Sequence, residues 1–217
     1  AYAWKACTLG QAMVRGYVDK PLEEIMPEFS NLMASALSID PNDFECHRLQ
    51  CAVNTMMGDM KAALSHGKKA YDVNPNDPRI LQQYGEVLLK TGKTEDGCDL
   101  TLLALEYDPI AQGQTNSDKR KSDGVFGCVL DDRPDVGLDI ASGMIDRSEK
   151  VLVYSAALAV GKSGSLESFS WLINDLKKAD FGQIEEAIEE MGKFDVVVQS
   201  KLKEVFLDHI LPLKEAA

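Results

Sequence analysis

Long apolar runs are missing from this sequence. None of its 217 residues falls in a stretch near the roughly 18 apolar residues that a membrane-crossing helix needs, so nothing in it spans a bilayer. Positive charge is scarce: 23 Lys and Arg stand against 35 Asp and Glu, a net charge of −12. A surface of one sign repels phosphate backbones and anionic headgroups, which disfavours nucleic acid and membranes as partners. The start lacks Met and any signal-peptide pattern and reads as a piece of a longer protein. The five cysteines, Cys7, Cys46, Cys51, Cys98 and Cys128, are odd in number and contain no Cys-x-x-Cys. They read as reduced thiols packed in the helices of a cytoplasmic protein.

Chemistry-bearing constellations are equally thin. His47 stands beside Cys46 and four residues before Cys51, but no third ligand accompanies them, so no metal site is expected. His47, His66 and His209 are scattered, with no Ser–His–Asp order, and read as surface or supporting residues. The run Glu185-Glu186-Ala187-Ile188-Glu189-Glu190 lacks the alternating oxygen ligands and central Gly of a calcium loop and reads as a solvated helix face. The reading is of no catalytic residue, no cofactor and no enzyme.

What the sequence does have is a period. Pro41, Pro75 and Pro109 are 34 residues apart, as are Ala36, Ala70 and Ala104, and as are Gly58 and Gly92. A helical hairpin needs a tight turn, and glycine takes positive φ there at little cost. Small alanines let helices approach closely. Proline ends one hairpin, and the Asn or Asp after it caps the next helix. One hairpin cannot cover its own apolar face, so neighbours stack.

These residues resemble the tetratricopeptide repeat, whose unit is also about 34 residues. Gly85, Gly92, Ala104 and Pro109 fit one unit, and Gly58, Ala63, Ala70 and Pro75 fit the one before. Cys51 takes a small-residue position in the first helix, and Gly97 replaces Ala in the second. The resemblance implies an all-α fold: a right-handed α-α superhelix of about five hairpins with C-terminal capping helices. It is expected to be one domain over 1–217. Residues 1–40 form a modified hairpin, 41–109 regular repeats, 110–178 irregular hairpins and 179–217 the capping helices.

The flanks are read from periodicity. A helix from Trp4 to about Tyr17 is followed by an enlarged connection over 18–26, and Pro27 suits the first turn of a helix running to about Leu37. Residues 110–121 read as a long connection, and Val125–Leu130 as a buried helix or strand. Asp131–Pro134 reads as a turn, with Val136, Ile140, Met144 and Ile145 at helical spacing after it. Helices over Glu149–Val160 and Leu166–Lys178 flank a Gly161–Gly164 turn. Two more follow near Phe181–Met191 and Asp195–Leu211, the last with a Leu202, Phe206, Ile210 stripe. Val151–Tyr154 and Val196–Val198 favour strand locally but sit in helical windows. Ala156–Ser163 satisfies a permissive phosphate-loop pattern, yet Ala-Ala-Leu-Ala-Val is helix-forming and lacks the glycines of a phosphate cradle.

By resemblance, function lies on the face lined by the first helix of each hairpin. There the family's groove binds an extended peptide or a partner helix. The matching positions are Glu45, Arg48, Thr55 and Met56 in one unit and Arg79, Gln82, Glu86 and Lys90 in the next. Arg48, Arg79 and Lys90 are the candidate carboxylate partners. The expected role is a protein–protein interaction scaffold. The alternative is a regulatory or assembly tail of a larger bacterial signalling enzyme. The segment Ala36-Leu37-Ser38-Ile39-Asp40-Pro41-Asn42-Asp43 is similar to the repeat tails of bacterial nucleotide cyclases. An uncapped N-terminal hairpin leaves a homodimer open as well.

Overall fold

A computed structural model describes residues 1–14, 16–109, 118–182 and 184–215. Every regular element among them is helical. The chain forms two compact units, Ala1–Val87 and Leu88–Ala217, and the boundary falls inside one helix.

The first unit holds α1 (Tyr2–Val14), α2 (Leu22–Ile39), α3 (Phe44–Met57), α4 (Met60–Val73) and α5 (Pro78–Lys90) as far as Val87. α1 packs on α2, and α3 on α4. The 34-residue period reappears as repeated backbone geometry. Gly58 and Gly92 both stand at φ 80°. The N–H after each glycine bonds five residues back, Asp59 to Asn54 at 2.9 Å and Lys93 to Leu88 at 2.9 Å, which closes the helix end in a left-handed cap. The carbonyls of Ala36, Ala70 and Ala104 accept the N–H of Asp40, Asn74 and Asp108. Each of these residues stands immediately before a period-marking proline or Pro-containing turn. The Asp43 carboxylate caps α3 by accepting the Cys46 N–H at 2.7 Å, and Asp59 caps α4 by accepting that of Ala62 at 3.0 Å.

The core of this unit gathers Ala6, Phe29, Met33, Cys46 and Leu49, with Cys51, Ala63 and Val87 as a second cluster. Gly67 on α4 has no room for a side chain: a Cβ there would meet the Tyr84 ring at 2.6 Å and Cys51 Sγ at 3.1 Å.

Two expectations at this end are corrected. α2 opens at Leu22, so Pro27 is its sixth residue and not in its first turn. Pro21, at φ −64°, starts the helix, and Glu23 and Glu24 in the first turn match its macrodipole. The enlarged connection is correspondingly shorter than 18–26. α1 stops at Val14, and Gly16 at φ 69° makes the same cap, with the Tyr17 N–H bonding Ala12 at 2.8 Å.

The second unit continues with α6 (Thr94–Tyr107), α7 (Lys119–Leu130), α8 (Pro134–Ser142), α9 (Glu149–Ser163), α10 (Ser170–Lys178), α11 (Ile184–Met191) and α12 (Val196–Val205). A π-helical turn, Phe206–Ile210, joins α12 to α13 (Leu211–Glu215). Its core is centred on α9, whose Val153, Ala156 and Leu158 lie in one cluster with Cys128, Leu172 and Leu202. Most of the expected 110–121 connection lies outside the described residues, but from Lys119 the chain is already helical. Arg120 is fully buried and ties this helix start to the end of α6, donating to the Ala104 carbonyl at 3.1 Å and the Asp108 carboxylate at 2.9 Å.

The α7–α8 turn repeats the glycine caps without a glycine. Asp132 takes φ 50°, and the Arg133 N–H bonds Cys128 at 2.9 Å. The β-favouring segments 151–154 and 196–198 are helical, as expected, and Val125–Leu130 is helix. Other boundaries are corrected. Met144 and Ile145 lie beyond the end of α8, in a bend whose Ile145 and Asp146 N–H groups are both held by the Asp118 carboxylate at 2.8 Å. α9 runs through Gly161 to Ser163 and turns only at Gly164, φ 74°. α10 begins at Ser170, and Leu166 is buried in the core from the turn before it.

Candidate functional site

The first helices of the hairpins in the Ala1–Val87 unit come together through charged side chains. Glu45, in the first turn of α3, is 3% exposed. Arg48, one turn later, grips it with two bonds, Nε to Oε2 at 3.0 Å and Nη2 to Oε1 at 2.6 Å. Arg48 Nη2 also reaches Cys7 Sγ on α1 at 3.7 Å. Arg79, at the start of α5, lies 3.4 Å from Glu45 and donates twice to Asp77, at 3.0 and 2.6 Å. Its guanidinium stands over the Trp4 ring of α1, 5.4 Å from the centroid.

The electrostatics follow from burial and pairing. Burial works against the Arg48 charge, but the Glu45 bonds outweigh it and hold the guanidinium above the usual arginine range. Burial likewise opposes the Asp77 charge, and the Arg79 bonds overcome it, leaving this carboxyl below the usual carboxylate range. Burial pushes the Cys7 thiol up, Cys46 to about 11 and Cys51 to about 12. None of these thiols is primed as a nucleophile. Two carboxylates and two guanidinium groups cancel, so the network is neutral and not an anion trap.

The other expected groove positions fall as follows. Thr55 donates its hydroxyl to the Cys51 carbonyl at 2.8 Å within α3, and Met56 is 56% exposed. Gln82 is buried and Glu86 half-buried on α5. Lys90 belongs to the second unit, with its ammonium 5.8 Å from the Phe194 ring centroid. The structure thus joins Glu45, Arg48 and Arg79 and adds two residues the period did not mark, Trp4 and Cys7. Trp4 is 57% exposed. Its signal was hidden because the first hairpin departs from the 34-residue register.

In the second unit, the phosphate-loop pattern at Ala156–Ser163 lies inside α9, so its backbone N–H groups are spent on the helix. Lys162 pairs with Asp135 on α8. Cys98 and Cys128 are free thiols buried in the core, and the neighbouring Cys98 together with burial pushes the Cys128 thiol up. The π-helical turn borders a cavity of about 220 Å³ lined by Glu185, Ile188, Glu189, Lys203, Phe206 and Leu207. That volume suits one side chain of a partner and is too small for a peptide or a nucleotide.

No family model matches the chain, and no curated protein matches it significantly. The class the structure supports is an all-helical protein built of hairpins. No helix of the described residues is long and apolar enough to cross a membrane.

Proposed function

We propose that this chain is a protein–protein interaction scaffold, a tetratricopeptide-like superhelix that holds a peptide or partner helix on the face formed by α1, α3 and α5. One observation carries the reading. Trp4 is exposed on that face, backed by Arg79, while Glu45, Arg48 and Asp77 lock the side chains around it. An exposed tryptophan on a surface already ordered binds with little entropy left to lose, the usual character of an interface anchor. Arg48 and Arg79 already hold carboxylates of their own chain, so recognition there runs through the aromatic ring and apolar contact rather than capture of a terminal carboxylate.

The test is Trp4→Ala. The side chain is largely in solvent, so the fold is expected to survive, as circular dichroism will show. Affinity capture from the source proteome is expected to recover a partner with the parent chain and at least tenfold less of it with the variant. Equal recovery by a folded variant contradicts the reading.

A further inference from the structure

We propose that His47 and His66 form a two-nitrogen clasp for a borderline divalent transition ion of the zinc or nickel class. His47 lies on α3 and is 3% exposed, and His66 lies half-buried on the partner helix α4. Their Nδ1 atoms are 3.0 Å apart, with ring centroids at 5.1 Å. His47 Nε2 stands 3.0 Å from the Pro41 carbonyl oxygen. A carbonyl only accepts, so the proton of neutral His47 sits on Nε2 and its Nδ1 carries a bare lone pair. That lone pair faces His66, whose Nδ1–H fills it in the metal-free chain. A ring whose far N–H is held by a backbone carbonyl is how metal-ligating histidines are oriented.

The geometry is close to what an ion needs. Two nitrogens on one tetrahedral zinc, with bonds of about 2.0–2.1 Å, stand roughly 3.3 Å apart. The pair must open by only a few tenths of an ångström, with both rings turning toward a common point. The proton leaving His66 Nδ1 is taken up at its own Nε2 through solvent, so a neutral pair releases none. Imidazole donors suit zinc, nickel and copper. Among the described residues no group of three His, Cys, Asp or Glu side chains is placed to hold an ion. Water therefore completes the coordination from the half-open His66 side, and micromolar affinity is expected. The positive charge of Lys69 reaches His66 and opposes the ion, whereas the net charge of −12 favours it.

The experiment is calorimetric titration of the metal-free full chain with zinc chloride, above pH 7. One site of micromolar affinity is expected in the parent and in His209→Gln, and at least tenfold weaker binding in His66→Gln. Ring resonances of His47 and His66 in the parent should shift with added zinc, a readout that needs no variant to fold. No binding in the parent, equal affinity in a folded His66→Gln, or zinc shifts confined to His209 overturns the proposal.

Discussion

At the scale of single residues, Glu45 sets the cost of altering the face around it. Its side chain is 4% exposed and that of Arg48 13%, so the pair has little water to fall back on. Removing Arg48 leaves buried Glu45 with only the longer 3.4 Å contact to Arg79, and losing one partner of a buried pair costs up to about 3–5 kcal/mol. Arg48→Ala is therefore expected to destabilise the first unit by roughly that amount in urea denaturation. A loss under about 1 kcal/mol would place the pair with ordinary surface bridges. Asp118 makes a pH-dependent counterpart in the second unit. Burial raises its pKa, but the N–H groups of Asp146 and Ile145 and the Lys121 ammonium more than offset this, leaving it lowered. The unfolded chain then binds more protons at acid pH, so the contribution is intact above the usual aspartate value of about 3.9 and is lost as pH falls through the folded value. Asp118→Asn is expected to melt below the parent at pH 7, with the gap closing as pH falls through the lowered folded value of Asp118. A gap independent of pH contradicts this.

At the scale of elements, the turns carry the argument. Gly16, Gly58, Gly92 and Gly164 occupy left-handed positions that cost a side chain strain, and Asp132 occupies a fifth without being glycine. Asp132→Gly is expected to raise the melting temperature by a few degrees, by relieving about 1 kcal/mol of left-handed strain. Gly67→Ala should lower it, since the added methyl meets the Tyr84 ring at 2.6 Å, an overpacking worth about 1–3 kcal/mol. Unchanged melting in both would show that neither backbone position is constrained. The same turns explain what was legible. Glycine, alanine and proline at one interval marked α3 to α6 because each residue type answers a backbone requirement. Asp132 carried no such mark, since aspartate is common everywhere. Gly161 misled in the opposite sense: glycine is tolerated inside a helix, and α9 runs through it to Gly164, where positive φ is needed. Pro27 misled similarly, because Pro21 and two acidic residues start α2 before it.

At the scale of the whole molecule, repeat residues are committed to packing and say little about what is bound. The expected groove positions were partly legible: Glu45, Arg48 and Arg79 meet, while Thr55 is absorbed into its own helix. Trp4 and His66 were not legible, because their significance depends on neighbours distant in sequence, Arg79 for one and His47 for the other. The division into two units also lies outside the period, which runs across α5 without a break. The most direct test of the scaffold reading is amide hydrogen exchange of the full chain with and without its captured partner. The account predicts added protection in α1, in α3 around Glu45–Met56 and in α5 around Arg79–Glu86. Protection confined to α9–α13, or none on this face, would contradict it.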